Sequence, residues 1–187
     1  MAAALAAYHS SHLRGGEVRS ITQDLAKLRK RLARLRLVAP WLAERIDGLL
    51  GRVESRASRF TAPTPTLIHG DFKPSQILIE GGRVGIVDLD KTGPGDPAID
   101  VGNLMAQLRG ASLTTRQSHL HHLAPYFLAE YQKYSPTKIA DDRASLFEAL
   151  SLMRMAVRSF ERSPWSYAKG GVSSKQVMFL NEAASCL

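Results

Sequence analysis

Cysteine is nearly absent: Cys186, beside the C-terminus, is the single thiol in 187 residues. One cysteine closes no internal disulfide, so nothing here is stapled covalently, and a lone terminal thiol reads as incidental. Zinc-type spacing of Cys and His is missing as well. His119, His121 and His122 have no cysteine partners and read as part of a helix face. Aromatic residues make up only 7%. No apolar run approaches the roughly 20 residues that a membrane-spanning helix needs. Residues 1–7 are apolar but have no basic residues ahead of them, unlike a secretory signal. The expected compartment is the cytoplasm, with no membrane partner. Acidic residues are short in the first third. Residues 1–60 hold 12 Lys/Arg against 5 Asp/Glu, a net +7, whereas residues 61–187 hold 13 against 12, a net +1. The overall charge of +8 therefore belongs to the N-terminal third.

What is present suits one domain over residues 1–187: 44% hydrophobic and 22% charged residues, enough for a single core. Residues 1–60 read as helical and basic. A short helix is expected over 2–12, broken at Gly15-Gly16. Over 17–38, Ile21, Leu25, Leu28, Leu32 and Leu35 recur by four and three, the stripe of an amphipathic helix, with Lys and Arg on its other faces. Pro40 opens a further helix. After a Pro-punctuated loop at 61–66 the period changes. Residues 76–80 and 83–89 read as two strands around Gly81-Gly82. Residues 91–97 read as loop. Helices are expected again over 98–108, over 114–134 with a bend or restart at Pro125, over 139–163 with Pro164 as its stop, and over 173–185. The fold class is thus mainly α with one small β-hairpin.

The chemistry concentrates at residues 65–104, where five aspartates fall: Asp71, Asp88, Asp90, Asp96 and Asp100. All are ionised at neutral pH, and clustering them costs repulsion unless cations or hydrogen bonds compensate. A hard divalent ion with oxygen ligands is the usual compensation. Magnesium shares its remaining positions with water and substrate phosphates, which points to phosphoryl transfer.

His69-Gly70-Asp71, followed by Lys73-Pro74 and Gln76, resembles the catalytic loop of protein kinases and their small-molecule relatives. Val87-Asp88-Leu89-Asp90 resembles their magnesium-binding segment. The stretch from Gly95-Asp96-Pro97 to Asp100-Val101-Gly102-Asn103 looks like that of the aminoglycoside phosphotransferase and choline kinase family. Gly70 in place of arginine favours the small-molecule branch. The resemblance implies the C-terminal lobe of a protein-kinase-like fold, using Mg²⁺ and ATP or GTP to phosphorylate a hydroxyl of a small acceptor such as an aminoglycoside, sugar or amino alcohol. It implies Asp71 as catalytic base, with Lys73 beside the transferring phosphoryl group. Asp88 and Gln76, at a position where the family usually has asparagine, would hold the metal, with Asp90 in support. His69, Asp96 and Asp100 would stand behind these groups. Asp100 would tie the catalytic loop down, and Asp96 would cap the helix that follows.

Ahead of His69 the sequence offers helices and no strand–glycine-loop–strand pattern, so the N-terminal β-lobe of such a kinase is expected to be absent. The 187 residues alone are then expected to have little turnover, with a separate lobe or partner chain as one way to complete the site. In this architecture residues 17–60 help form the acceptor pocket. Their basic character works against a polycationic aminoglycoside unless Glu17, Asp24, Glu44 or Asp47 faces it, and favours a neutral sugar, an amino alcohol or an anion. Two other classes stand beside this reading. One is a non-catalytic binding or regulatory module derived from such a kinase. The other is a nucleic-acid binder using the Arg-rich helix, which is disfavoured because that helix has an apolar stripe and no interleaved aromatics. A homodimer through that stripe is expected only if the lobe leaves the stripe uncovered.

Overall fold

The structure, a computed structural model, describes residues 1–11, 17–115, 117–162 and 174–187. The expected break at Gly15-Gly16, the stop at Pro164 and the helix start at Ser173 lie outside these residues. Seven helices are described: α1 (Ala2–His9), α2 (Ile21–Val38), α3 (Pro40–Ala57), α4 (Ala98–Thr114), α5 (Leu120–Tyr134), α6 (Asp141–Arg162) and α7 (Ser174–Ser185). Between α3 and α4 lie four short strands: β1 (Thr66–Ile68), β2 (Ile77–Glu80), β3 (Arg83–Ile86) and β4 (Gly93–Gly95).

Helix α2 starts later than the apolar pattern suggests because Ser20 caps it. Ser20 Oγ accepts from the Gln23 N–H at 3.3 Å and Gln23 Oε1 accepts from the Ser20 N–H at 3.2 Å, a reciprocal capping box. The residues before the cap are therefore extended, and Arg19 forms a bridge beside Gly95. The stripe residues Leu25, Leu28, Leu32 and Leu35 are buried, and α2 packs on α3 through them. That apolar stripe is covered inside the lobe. Helix α3 begins with Pro40 in its first turn and buries Leu42, Ile46, Leu49, Leu50 and Val53.

The centre of the molecule is α4 against α5 and α6, with α7 packed on α6. The approach of α4 to α6 is set by Gly102, where a Cβ would lie 2.7 Å from the Glu148 amide nitrogen and 2.7 Å from Phe147. Fully buried Leu104, Leu146, Leu150 and Met153 fill the layer. Each such side chain removed from water contributes roughly 1.5–3 kcal/mol.

Three expectations change. Residues 91–97 are not all loop: Gly93–Gly95 pairs antiparallel with Thr66–Ile68, with Leu67 opposite Pro94. The pairing needs close approach, since a Cβ on Gly95 would stand 2.5 Å from Ile68 Cδ1. The helix expected over 114–134 is divided. Helix α4 runs on to Thr114, and Thr115 turns extended. The Thr114 and Thr115 hydroxyls donate back to the Gly110 and Ala111 carbonyls, 2.8 Å each. Such bonding competes with continued helix at a chain end, and α5 restarts at Leu120. The second hairpin strand stops at Ile86 rather than residue 89, because Asp88 adopts left-handed backbone with φ 67°. The hairpin itself, Ile77–Glu80 on Arg83–Ile86 around two positive-φ glycines, is as expected.

Candidate active site

The loop that begins at His69 follows β1 and is held from behind by Asp100 in the first turn of α4. The Asp100 side chain is fully buried. Its Oδ2 accepts from the His69 N–H at 2.6 Å and its Oδ1 from the Gly70 N–H at 2.8 Å. A third donor, His9 Nε2, reaches Oδ2 at 3.1 Å, and His9 Nδ1 meets the Tyr131 hydroxyl at 2.7 Å. A buried carboxylate is tolerated only with such satisfaction. The loop is thus tied to α1, α4 and α5 at once.

Gly70 takes φ 78°, and a Cβ there would meet the Lys91 carbonyl oxygen at 2.6 Å and Arg19 Nη1 at 2.9 Å. Only glycine combines that backbone with that proximity. Arg19 Nη1 donates to the Gly70 carbonyl, and its other nitrogens hold both oxygens of buried Asp24 at 3.0–3.2 Å. Arg154 from α6 reaches the same carboxylate at 3.1 Å.

His69 joins the two halves of the site. Its Nδ1 accepts from the Asp71 N–H at 3.4 Å, so Nε2 carries the ring proton and donates to the Val87 carbonyl at 2.9 Å. One imidazole therefore links the backbone of Asp71 to the residue before Asp88. Its ring also stands edge-on to buried Phe72, with centroids 5.8 Å apart. The Phe72 carbonyl accepts from Asn103 Nδ2 at 2.7 Å.

Asp71 is half-buried at the mouth of a cavity of about 220 Å³. Its Oδ2 takes both Lys73 Nζ, at 3.1 Å, and Lys91 Nζ, at 2.9 Å. Its Oδ1 has no hydrogen-bond partner among the described residues. Burial pushes the Asp71 carboxyl up, but the two ammonium groups outweigh it and hold it below the ordinary 3.8. The group stays an acceptor across the physiological range.

Gln76 sits in a 3-10 turn ahead of β2, buried, with Nε2 donating to Asp88 Oδ2 at 2.6 Å. Its Oε1 is buried without a partner among the described residues. Turning the amide about its last bond would set that oxygen beside the Asp88 carboxylate. Two facing oxygens need a cation between them, and one carboxylate plus one amide oxygen suits Mg²⁺, which keeps waters and phosphate oxygens in its remaining positions. The donor set therefore fits a magnesium ion. Among the described residues no group of three or more His, Cys, Asp or Glu could cage a metal alone.

The other residues singled out in the sequence are placed differently. Asp90 is exposed in the turn after Asp88 and makes no hydrogen bond or ion pair among the described residues. Asp96 is occupied elsewhere. Its Oδ1 accepts from the Ala98 N–H at 2.9 Å at the start of α4, and its Oδ2 pairs with Arg143 at 2.6 Å. Of the carboxylates weighed for the acceptor side, only Asp24 lines the cavity, and both its oxygens are occupied. Asp47 pairs with Arg36, and Glu17 accepts from Gln23. Sequence reading missed Arg19, Lys91, Arg154, His9 and Tyr131. Arg19 just ahead of a Ser-x-x-Gln cap was the one local signal, since a capped helix start fixes where the preceding side chain goes.

With this geometry in view, the model of the phosphotransferase enzyme family matches residues 1–141. The chain belongs to that family. Its fold is shared with solved structures of low sequence identity. One is a choline/ethanolamine kinase family protein from Mesorhizobium loti, with TM-score 0.59 and 17% identity over 99% of this chain and 58% of that one. Another is a Plasmodium vivax ethanolamine kinase, with TM-score 0.62 and 18% identity over 100% and 57%. A third is a spectinomycin phosphotransferase in complex with ADP and spectinomycin, with TM-score 0.53 and 12% identity over 99% and 63%. The chain spans less than two thirds of the length of each. A search of curated proteins finds no match. The mainly helical lobe with its small hairpin is thus that of the kinase-like small-molecule phosphotransferases. Among the described residues no helix is long and apolar enough to cross a membrane.

Proposed function

We propose that this lobe carries the acceptor-activating and metal-binding half of a small-molecule kinase, with Asp71 receiving the acceptor hydroxyl. The observation that carries the reading is the free Oδ1 of Asp71 at a cavity mouth, joined through His69 to the segment bearing Asp88 and Gln76.

In the step so read, the acceptor oxygen forms a bond to the γ-phosphorus of ATP or GTP. The bond from that phosphorus to the β-phosphate oxygen breaks, the nucleoside diphosphate departs, and the hydroxyl proton passes to Asp71 Oδ1. A carboxylate below its ordinary pKa is a weak base. Its main work is to orient the hydroxyl, and it takes the proton late, as suits a loose transition state. Lys73 and Lys91 fix the carboxylate by its other oxygen and place positive charge where the phosphoryl group would pass. Asp88 and Gln76 would hold Mg²⁺, which neutralises phosphate charge when bound. Asp90, exposed beside Asp88, would add charge to the metal's outer waters. Asp100 and His69 act through the loop they hold. Asp96 keeps the role of fixing the start of α4 to α6.

The test is calorimetry of ATP with and without Mg²⁺ on this chain beside Asp88→Ala. The expected result is magnesium-dependent binding that disappears in the variant. ATP binding that persists unchanged in Asp88→Ala would sink the assignment. Absence of binding in both would mean that this lobe alone does not hold the nucleotide and needs a separate lobe or partner chain to do so.

A further inference from the structure

The cavity in front of Asp71 is lined by two helix faces of the same design. Helix α2 presents Asp24, Lys27, Leu28 and Arg31, and α6 presents Ser151, Arg154, Met155 and Arg158. Each set has the i, i+3, i+4, i+7 spacing of a single stripe. On α2 the stripe brings Lys27 and Arg31 together at i,i+4, and on α6 it brings Arg154 and Arg158 together. Like charges at that spacing destabilise a helix, and each helix carries one such pair at the cavity.

The cavity holds six cations, Arg19, Lys27, Arg31, Lys91, Arg154 and Arg158, against two carboxylates, Asp24 and Asp71. Asp24 is shared by Arg19 and Arg154, and Asp71 is taken by Lys91. Arg31 leans outward to Glu161. Lys27 and Arg158, one from each helix, make no hydrogen bond or ion pair among the described residues. Residues 12–16, 116 and 163–173 contain no Asp or Glu, so no carboxylate of the chain lies outside the described residues. The floor is neutral and polar, with Asn103 and Gln107 one turn apart on α4.

We infer that the acceptor is a polyhydroxylated anion, its carboxylate or phosphate held between Lys27 of α2 and Arg158 of α6 and its hydroxyl offered to Asp71. This rests on the phosphotransferase reading of the same site. A cavity of about 220 Å³ has room for a single sugar ring beside Asp71. Asp24 is saturated and Asp71 Oδ2 is taken by two lysines, so a cationic acceptor would meet Lys27 and Arg158 with Asp71 Oδ1 alone to offset them. Guanidinium and ammonium groups on either side of an anion would supply charge-assisted hydrogen bonds instead.

The test compares probes of one size and three charges, gluconate, glucose and glucosamine, with glucose 6-phosphate as the phosphate form. Binding to this chain is measured by calorimetry at low and high salt. Gluconate or glucose 6-phosphate is expected to bind at least tenfold more tightly than glucose and to weaken as salt rises, while glucosamine binds more weakly than glucose. Whichever anion is tighter identifies the group as carboxylate or phosphate. The double variant Lys27→Glu/Arg158→Glu is expected to reverse the order in favour of glucosamine, a result that unfolding cannot imitate. Equal binding of all probes, no binding of either anion, or an order unchanged in the double variant overturns the inference. The magnesium-dependent ATP measurement on the same sample separates the two levels. If it holds and anion selectivity fails, only the acceptor class is wrong. If selectivity holds and Asp88-dependent ATP binding fails, the cavity is an anion site and the phosphoryl-transfer reading falls.

Discussion

At the scale of single residues, Asp100 anchors the loop at His69 and Gly70 from behind. Its two oxygens satisfy the consecutive backbone N–H groups of these residues and one ring N–H of His9, all in a fully buried setting. Asparagine has the same shape and one acceptor fewer. In Asp100→Asn, an amide NH₂ must face either the His69 or the Gly70 N–H, so a buried donor goes unsatisfied and a negative charge among three donors is lost. Each unsatisfied buried group costs roughly 1–3 kcal/mol, more where charge is involved, so a loss of roughly 2–4 kcal/mol is expected. Urea unfolding of the variant measures it, and a change below about 1 kcal/mol would contradict this account. The motif made Asp100 a candidate in the sequence. Its partner His9, and Tyr131 on the far side of His9, were not legible, because they come from other helices distant in sequence with no shared pattern.

At the scale of elements, periodicity was a reliable guide wherever burial is one-sided. Helices α2, α3 and α6 were readable from their apolar spacing, and the hairpin, exposed on both faces, from the Gly81-Gly82 turn between strand-forming runs. The β1–β4 ladder was not, because Gly93-Pro94-Gly95 carries no side-chain alternation and pairs for reasons of close approach. The position of α6 against α4 was equally hidden, since Gly102 looks like any helix glycine until its neighbour is known. That neighbour fixes the sign of a substitution. Ala normally stabilises a helix over Gly by up to about 1 kcal/mol, and Gly48 and Gly51 in α3, with nothing within 4 Å of a new Cβ, should follow that rule. Gly102→Ala should do the reverse. A methyl group 2.7 Å from backbone atoms of α6 forces the two helices apart, and overpacking of this kind costs roughly 1–3 kcal/mol. Thermal melts of Gly48→Ala, Gly51→Ala and Gly102→Ala should therefore move in opposite directions. A stabilised Gly102→Ala would show that α4 and α6 do not meet as described.

At the scale of the whole molecule, the question is how much catalysis one lobe can deliver. Phosphoryl transfer is carried by positioning and charge, and the phosphates must be held from more than one side for the γ-group to lie in line with the acceptor. The described residues supply one side. Asp88 lies in the open, and the hairpin next to it exposes Leu78 at 58% and Ile79 at 70% to solvent, with Leu89 at 48% in the turn after it. Among the described residues no sheet or glycine-rich loop lies over these groups. Nucleotide binding to this surface is expected to be weak, about millimolar, which corresponds to roughly 4 kcal/mol. An acceptor held in the cavity beside Asp71, as proposed, is expected not to share that weakness. The two ligands should therefore behave independently in this chain: selective acceptor binding, feeble magnesium-dependent ATP binding, and ADP formation no faster than in the protein-free blank. A coupled assay with each sugar probe measures the last of these. Turnover at the roughly 1–100 s⁻¹ common among kinases would mean that one lobe suffices to align the phosphates, and that the exposed face around Asp88 closes on the nucleotide without help.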